Sequence, residues 1–169
     1  SIKSGSIHHA YLFEGPEHIG KLTVAEEFAM ALNCETRSKD FFEPCGKCDS
    51  CSSIRADHNL DVIELDAASK TGVDDIREII DNVKYKPVSC KYKIFIIDEV
   101  HMLSKNAFNA LLKTLEEPPP HVKFVFATTE VKKIPITIIS RCQRFDLHRI
   151  EISILTSHLN LIAKNENVK

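Results

Sequence analysis

Three groups of residues have types and spacings suited to chemistry. The first is Gly15-Pro16-Glu17-His18-Ile19-Gly20-Lys21-Leu22, followed by Thr23. It fits G-x-x-x-x-G-K up to its last position, where Ser or Thr is expected. In such a loop the backbone N–H groups and the next helix N-terminus face phosphate oxygens, and the lysine reaches the terminal phosphates. Leu22 cannot supply the hydroxyl that ligates magnesium, and Thr23 lies about 100° further round a helix. The second group is Ile94-Phe95-Ile96-Ile97-Asp98-Glu99, an apolar strand ending in two carboxylates. Asp98 is placed to hold magnesium through water, and Glu99 to polarise a water for attack on a γ-phosphate. The plain alternatives are a chance glycine pair and a solvated strand end. Their occurrence together favours a P-loop ATPase.

The third group is Cys34, Cys45, Cys48 and Cys51, spaced C-x10-C-x2-C-x2-C. Four thiolates at this spacing close a tetrahedral zinc site, with Gly46 easing the turn inside the Cys45–Cys48 loop. An iron–sulfur cluster and free thiols are the alternatives, but the C-x3-C-P ending of the usual bacterial cluster run is absent. With every ligand a cysteine there is no open position for water, so such a zinc is structural. Cys90 and Cys142 lie apart from the cluster and are expected in the core.

The elements that must position these groups follow from periodicity. Tyr11-Leu12-Phe13 leads into the glycine loop as a strand, and Ala25, Phe28, Ala29 and Leu32 then mark one helix face. Asp61 to Asp66 alternates as a strand, and Val73, Ile76, Ile80 and Val83 mark a helix closed by Pro87. Lys93 to Asp98 and Val122 to Ala127 read as strands buried on both faces. Between them Phe108, Leu111, Leu112 and Leu115 define a helix capped by Ser104 and stopped at Glu117-Pro118. Arg144 to Leu147 is a last short strand, and Glu151 to Lys169 is a helix that breaks off, as in part of a longer chain. Strands alternating with helices predict an α/β fold with a parallel sheet.

Composition narrows the function classes. The chain has 169 residues, 43% of them apolar, enough for one well-packed domain. Its 22 Lys+Arg against 24 Asp+Glu exclude a basic DNA-coating protein. No apolar run reaches the ~18 residues of a membrane span, and Ser1 to Tyr11 lacks a signal-peptide core. A cytoplasmic location and reduced cysteines are expected.

Taken together, the motifs resemble those of one family, the gamma/tau subunits of bacterial DNA polymerase III, the ATPases of the sliding-clamp loader. The resemblance is carried by His8-His9-Ala10-Tyr11-Leu12-Phe13, the four cysteines with Pro44-Cys45-Gly46, and Asp66-Ala67-Ala68-Ser69. It continues through Val73-Asp74-Asp75-Ile76-Arg77, Asp98-Glu99-Val100-His101-Met102-Leu103, Phe108 to Pro118, and Ser140-Arg141-Cys142. It implies an AAA+ P-loop core over residues 1–150, a zinc-binding insertion at 34–51, and the start of a helical lid at 151–169. It also implies ATP with magnesium as substrate and hydrolysis at subunit interfaces, with Lys21 on the β/γ-phosphates. Thr129 matches the sensor of the γ-phosphate. Arg141 matches an arginine finger inserted into the neighbouring subunit's site, although by itself it reads as a surface ion pair. The implied partners are the delta and delta-prime subunits, further gamma/tau copies, the sliding clamp and primer–template DNA, with no membrane. Lys70 and Lys105 are candidate phosphate contacts to DNA.

Three departures from the family pattern are visible. Leu22 replaces the hydroxyl residue, the segment that packs near the adenine is largely missing before the first strand, and two further domains are absent after about residue 150. Three other readings compete. One is an ATPase-dead delta-prime-like subunit that donates its finger, another a non-catalytic zinc-bearing interaction module. The last is another P-loop enzyme such as a nucleotide kinase.

Overall fold

The computed structural model describes residues 7–36, 43–70 and 72–166. Its sheet has five strands: β1 (Ala10–Glu14), β2 (Val62–Asp66), β3 (Lys93–Asp98), β4 (Val122–Thr128) and β5 (Gln143–Asp146). They pair in the order β2-β3-β4-β1-β5, every pair parallel, as the apolar runs predict. Helices α1 (Lys21–Asn33), α2 (Asp49–Arg55), α3 (Val73–Val83), α4 (Lys105–Glu116), α5 (Ile136–Ile139) and α6 (Ile152–Asn165) accompany the sheet, with 3-10 turns at Val100–Met102 and Val131–Lys133.

Alternation along the central strands decides which helices cover which face. Ile94, Ile96 and Val125 point to one side with Phe13 and meet Ala25, Ala29 and Leu32 of α1. Phe95, Ile97, Phe124 and Phe126 point to the other side. There they meet Ile76, Ile79 and Val83 of α3, Phe108, Leu111 and Leu115 of α4, and Ile138 of α5. The Phe95–Phe124 and Phe124–Phe126 rings stack at 5.5 and 5.9 Å between centroids. Ser104 caps α4, its hydroxyl accepting the Ala107 N–H at 3.2 Å.

Several expectations shift. The face of α3 uses Ile79 as its buried residue, with Ile80 only partly buried. The cysteine-rich stretch contains a helix, α2, that starts directly after Cys48. The closing strand runs one residue earlier than expected, and within the closing helix residues 167–169 lie outside the described residues. The apolar side chains of α6, among them Ile152, Ile154, Leu155 and Leu159, are exposed. Cys142 packs against the core, and burial pushes its thiol up to about 12. Cys90 does not join the core: it sits in the loop before β3, its sulfur 3.6 Å from the Asn59 side-chain oxygen and 3.8 Å from Ser50 Oγ.

Asp61 is not a strand residue but a fully buried anchor just before β2. Its carboxylate accepts the N–H groups of Val88, Ser89 and Cys90 at 2.7, 2.7 and 2.8 Å. Burial alone would raise its pKa, but the three backbone donors outweigh it and hold the carboxyl below the usual carboxylate range. A depressed pKa means stability that is complete above about pH 4 and lost as pH falls through the lower folded value. Asp61→Asn puts an amide against those donors and is expected to cost about 2–3 kcal/mol at pH 7. Urea unfolding of both proteins at pH 7 and pH 3 checks this, because the gap must narrow in acid. A gap independent of pH would refute the assignment.

Candidate phosphate-binding site and cysteine cluster

The β2-β3-β4-β1-β5 order separates the loops leaving β1 and β3, and crevices of this kind at the carboxyl ends of parallel strands bind ligands. A cavity of about 360 Å³ lies there, lined by Glu17, His18, Gly20, Lys21, Leu22, Asp98 and Glu99. It unites the first two sequence groups. Gly15, Pro16, Ile19, Thr23 and Thr129 are not among its lining residues. Gly15 and Pro16 act instead through their carbonyls, which accept the Lys21 ammonium at 3.2 and 3.1 Å.

Helix α1 begins at the glycine of the motif. Gly20 adopts φ 90°, a left-handed conformation that a side chain would strain, and no side chain caps the helix. Its first-turn N–H groups and the positive end of its dipole make this a place for an anion. Lys21 is buried, with only 6% of its side chain exposed. Leu22 lines the cavity and also packs against the apolar face of α1, so position 22 offers the site no oxygen. Thr23 is exposed and does not substitute for it.

Glu99 follows β3 in a left-handed conformation, φ 45°, and starts a 3-10 turn over Val100–Met102. The Asp98 side chain accepts the Glu99 N–H at 2.9 Å. One oxygen of Glu99 lies 3.8 Å from Lys21 Nζ. The other accepts the backbone N–H of Thr129 at 3.1 Å and its hydroxyl at 3.0 Å. Lys21, Asp98, Glu99 and Thr129 therefore converge from three loops. This arrangement can take up an anionic ligand on Lys21 and the α1 N-terminus, and hold a cation and a water on the carboxylate side.

Arg141 stands elsewhere, between α5 and β5 and outside the cavity lining. Its guanidinium donates to the Thr137 carbonyl and to the Glu116 carboxylate, both at 2.6 Å. The ion pair expected from sequence is present, and about a third of the side chain remains exposed. Lys70 and Lys105 are exposed and outside the site. Sequence reasoning assigned nothing to Glu116, Thr128, His101 or Glu130. The last three form a polar set beside Glu99, with His101 Nδ1 3.0 Å from Thr128 Oγ1. The available signal was a histidine two residues after a carboxylate in a turn.

The four cysteines form one group, their sulfur atoms all within 4.8 Å of one another. A tetrahedron of Zn–S bonds of about 2.3 Å has edges of about 3.8 Å, so a small contraction around an ion suffices. The Cys45 sulfur accepts the N–H groups of Lys47 at 3.4 Å and Cys48 at 3.3 Å. Gly46 makes that turn at φ 68°. The Thr36 hydroxyl first, and these N–H groups next, bring the Cys45 thiol down to about 6, while burial pushes the Cys51 thiol up to about 12. The set fits a zinc ion in number, chemistry and spacing.

Known proteins resemble the chain over most of its length. A family profile described as "DNA polymerase III, delta subunit" matches residues 1–151. A Bacillus subtilis protein named DNA polymerase III subunit tau is 55% identical over 161 residues, 95% of this chain and 28% of its own length. A Haemophilus influenzae protein named DNA polymerase III subunit tau/gamma is 49% identical over 99% of this chain and 24% of its own. The chain thus spans about a quarter of the length of these relatives. Among solved structures, a DNA polymerase III gamma subunit-related protein of Thermotoga maritima superposes with a TM-score of 0.66 at 26% identity, covering 90% of this chain and 45% of its own. The Holliday junction branch migration motor RuvB of Thermotoga maritima gives 0.61 at 17% identity, over 99% of this chain and 47% of its own. That second likeness shows the fold alone.

Proposed function

The chain belongs to the DNA polymerase III family matched by that profile, with tau and gamma subunits as its relatives at about 50% identity, and from that premise we propose that it is the ATP-binding part of a clamp-loader motor subunit. It works in the cytoplasm, loading the sliding clamp onto primed DNA. Residues 1–150 form the AAA+ core, 34–51 its zinc-bearing insertion and 151–169 the start of a helical lid. The observation that carries the reading is the convergence of Lys21, Asp98 and Glu99 on one crevice, with Thr129 hydrogen-bonded to Glu99 from behind. In this reading Lys21 and the α1 N-terminus hold the phosphates, Asp98 supports magnesium through water, Glu99 polarises the attacking water and Thr129 senses the γ-phosphate.

Arg141 lies outside its own subunit's cavity, which suits a finger for the neighbour's site in an assembly with delta, delta-prime and further tau/gamma copies. Primer–template DNA is gripped by phosphate contacts that read no sequence. Cys34, Cys45, Cys48 and Cys51 hold a structural zinc, which ties the start of α2 to the end of α1. Among the described residues no helix is long and apolar enough to cross a membrane.

Leu22 separates this reading from a delta-prime-like subunit that only donates its finger. Titration of the full-length protein with ATP, with and without magnesium, is expected to give magnesium-dependent binding. Leu22→Thr restores the hydroxyl and is expected to raise the hydrolysis rate about tenfold, the worth of one added charge-assisted contact of roughly 1.4 kcal/mol. No binding at about 1 mM ATP, near the top of ordinary KM values, would favour the finger-only subunit instead.

A further inference from the structure

His101 is a buried polar side chain beside the crevice that the proposed mechanism leaves unused. Only 6% of its side chain is exposed, so its imidazole must find its partners inside the protein. The 3-10 turn that follows Glu99 closes through Met102 N–H to the Glu99 carbonyl at 2.8 Å, and this curls His101 back over the carboxylate. Nδ1 lies 3.2 Å from the Glu99 oxygen already bonded to Thr129, and 3.0 Å from Thr128 Oγ1. Thr128 is fully buried at the end of β4, and its hydroxyl accepts the Glu130 N–H at 3.0 Å. Nε2 lies 3.6 Å from Glu130, whose carboxylate is paired with Lys133 at 2.7 Å.

We propose that His101 is the positioning residue for Glu99, fixing which carboxylate oxygen is offered to the attacking water. The proposal rests on the reading of Glu99 as the group that polarises that water. An ionised carboxylate only accepts hydrogen bonds, so a ring facing it presents a protonated Nδ1, whose one hydrogen is shared between the Glu99 oxygen at 3.2 Å and Thr128 Oγ1 at 3.0 Å. Thr129 N–H and Thr129 O–H donate to one oxygen, His101 Nδ1 stands 3.2 Å from that same atom, and the other oxygen is left facing Lys21 and the cavity. The same Nδ1 lies against Thr128, the buried last residue of β4, so the position of the ring is set from the sheet. Without the imidazole, Glu99 keeps only its Thr129 contacts, and the attraction of the Lys21 ammonium draws the carboxylate toward the lysine. It is then spent on an ion pair and misplaced for the water.

The test is steady-state hydrolysis by the full-length protein carrying His101→Ala, His101→Gln or His101→Asn, with binding of a non-hydrolysable ATP analogue measured alongside. The Asn amide nitrogen falls near the place of Nδ1, whereas the Gln amide nitrogen falls near Nε2. Ala and Gln are expected to lower kcat about 10- to 100-fold, the usual cost of a misplaced reacting group, with KM and analogue binding near the wild-type values. Asn is expected to recover most of the rate. Unchanged kcat in Ala and Gln overturns the proposal. An equal loss in all three variants that follows their melting temperatures marks a packing role and overturns it as well. Glu99→Gln serves as the control: a wild-type rate there sinks the reading of Glu99 and the proposal together, whereas its loss beside full activity in His101→Gln sinks the proposal alone.

Discussion

Lys21→Ala is expected to abolish ATP binding by the full-length protein at concentrations that saturate the wild type. The ammonium is buried between the Gly15 and Pro16 carbonyls and lies 3.8 Å from Glu99. It is therefore held at the mouth of the α1 N-terminus, where the terminal phosphates of a nucleotide would lie. A charge-assisted hydrogen bond contributes about 1.5–3 kcal/mol, and the Coulomb attraction to a polyphosphate in a partly dry site adds to it. A loss near 3 kcal/mol corresponds to about a hundredfold weaker binding. Removal of the side chain also releases the two carbonyls, so the loop loses the tie that shapes it, and Lys21→Met would lose affinity likewise. A fluorescent nucleotide titration measures the effect. Equal affinities of wild type and Lys21→Ala would mean that the loop does not hold phosphate, and the ATPase reading would fail at its first step.

The second large effect concerns the cysteine cluster. Removal of zinc with a strong chelator is expected to loosen α2 from the end of α1 and to lower the melting temperature by about 10 °C. That shift corresponds to roughly 3 kcal/mol for a domain of this size, well within what structural zinc supplies in small proteins. Cys51→Ser should do the same, because Cys51 is fully buried and packs with Met30 and Ile54 between α1 and α2. The β-sheet, whose core lies on other side chains, should survive both treatments. Zinc uptake must also release protons, with a sign that follows from the thiols. Near pH 7.5 Cys45, at about 6, is already largely thiolate, whereas Cys51, at about 12, must give up its proton to the solvent. Zinc affinity therefore rises with pH. Calorimetric titration in two buffers of different ionisation enthalpy gives the proton count. Zero protons released, or a melting curve indifferent to chelation, would count against a structural zinc.

The sequence by itself determined the elements and the chemistry they carry. The apolar runs of β3 and β4 required a parallel sheet, because only strands covered on both faces have no polar side to show. The glycine loop announced a helix N-terminus open to an anion, and C-x10-C-x2-C-x2-C announced four sulfurs that the structure holds together. Such features are legible because they depend on residues close in the chain. What only the tertiary structure decided are the relations between distant residues. Sequence placed Thr129 through a resemblance, but the sheet brings its hydroxyl onto Glu99, thirty positions away in the chain. The same is true of Asp61 under the 88–90 loop, of Glu116 against Arg141, and of Cys90 outside the core. His101 is the sharpest case. Its place in the Asp98–Leu103 run was visible, but its partner Thr128 becomes a neighbour only because β4 lies beside β3, and strand order is written in no single segment.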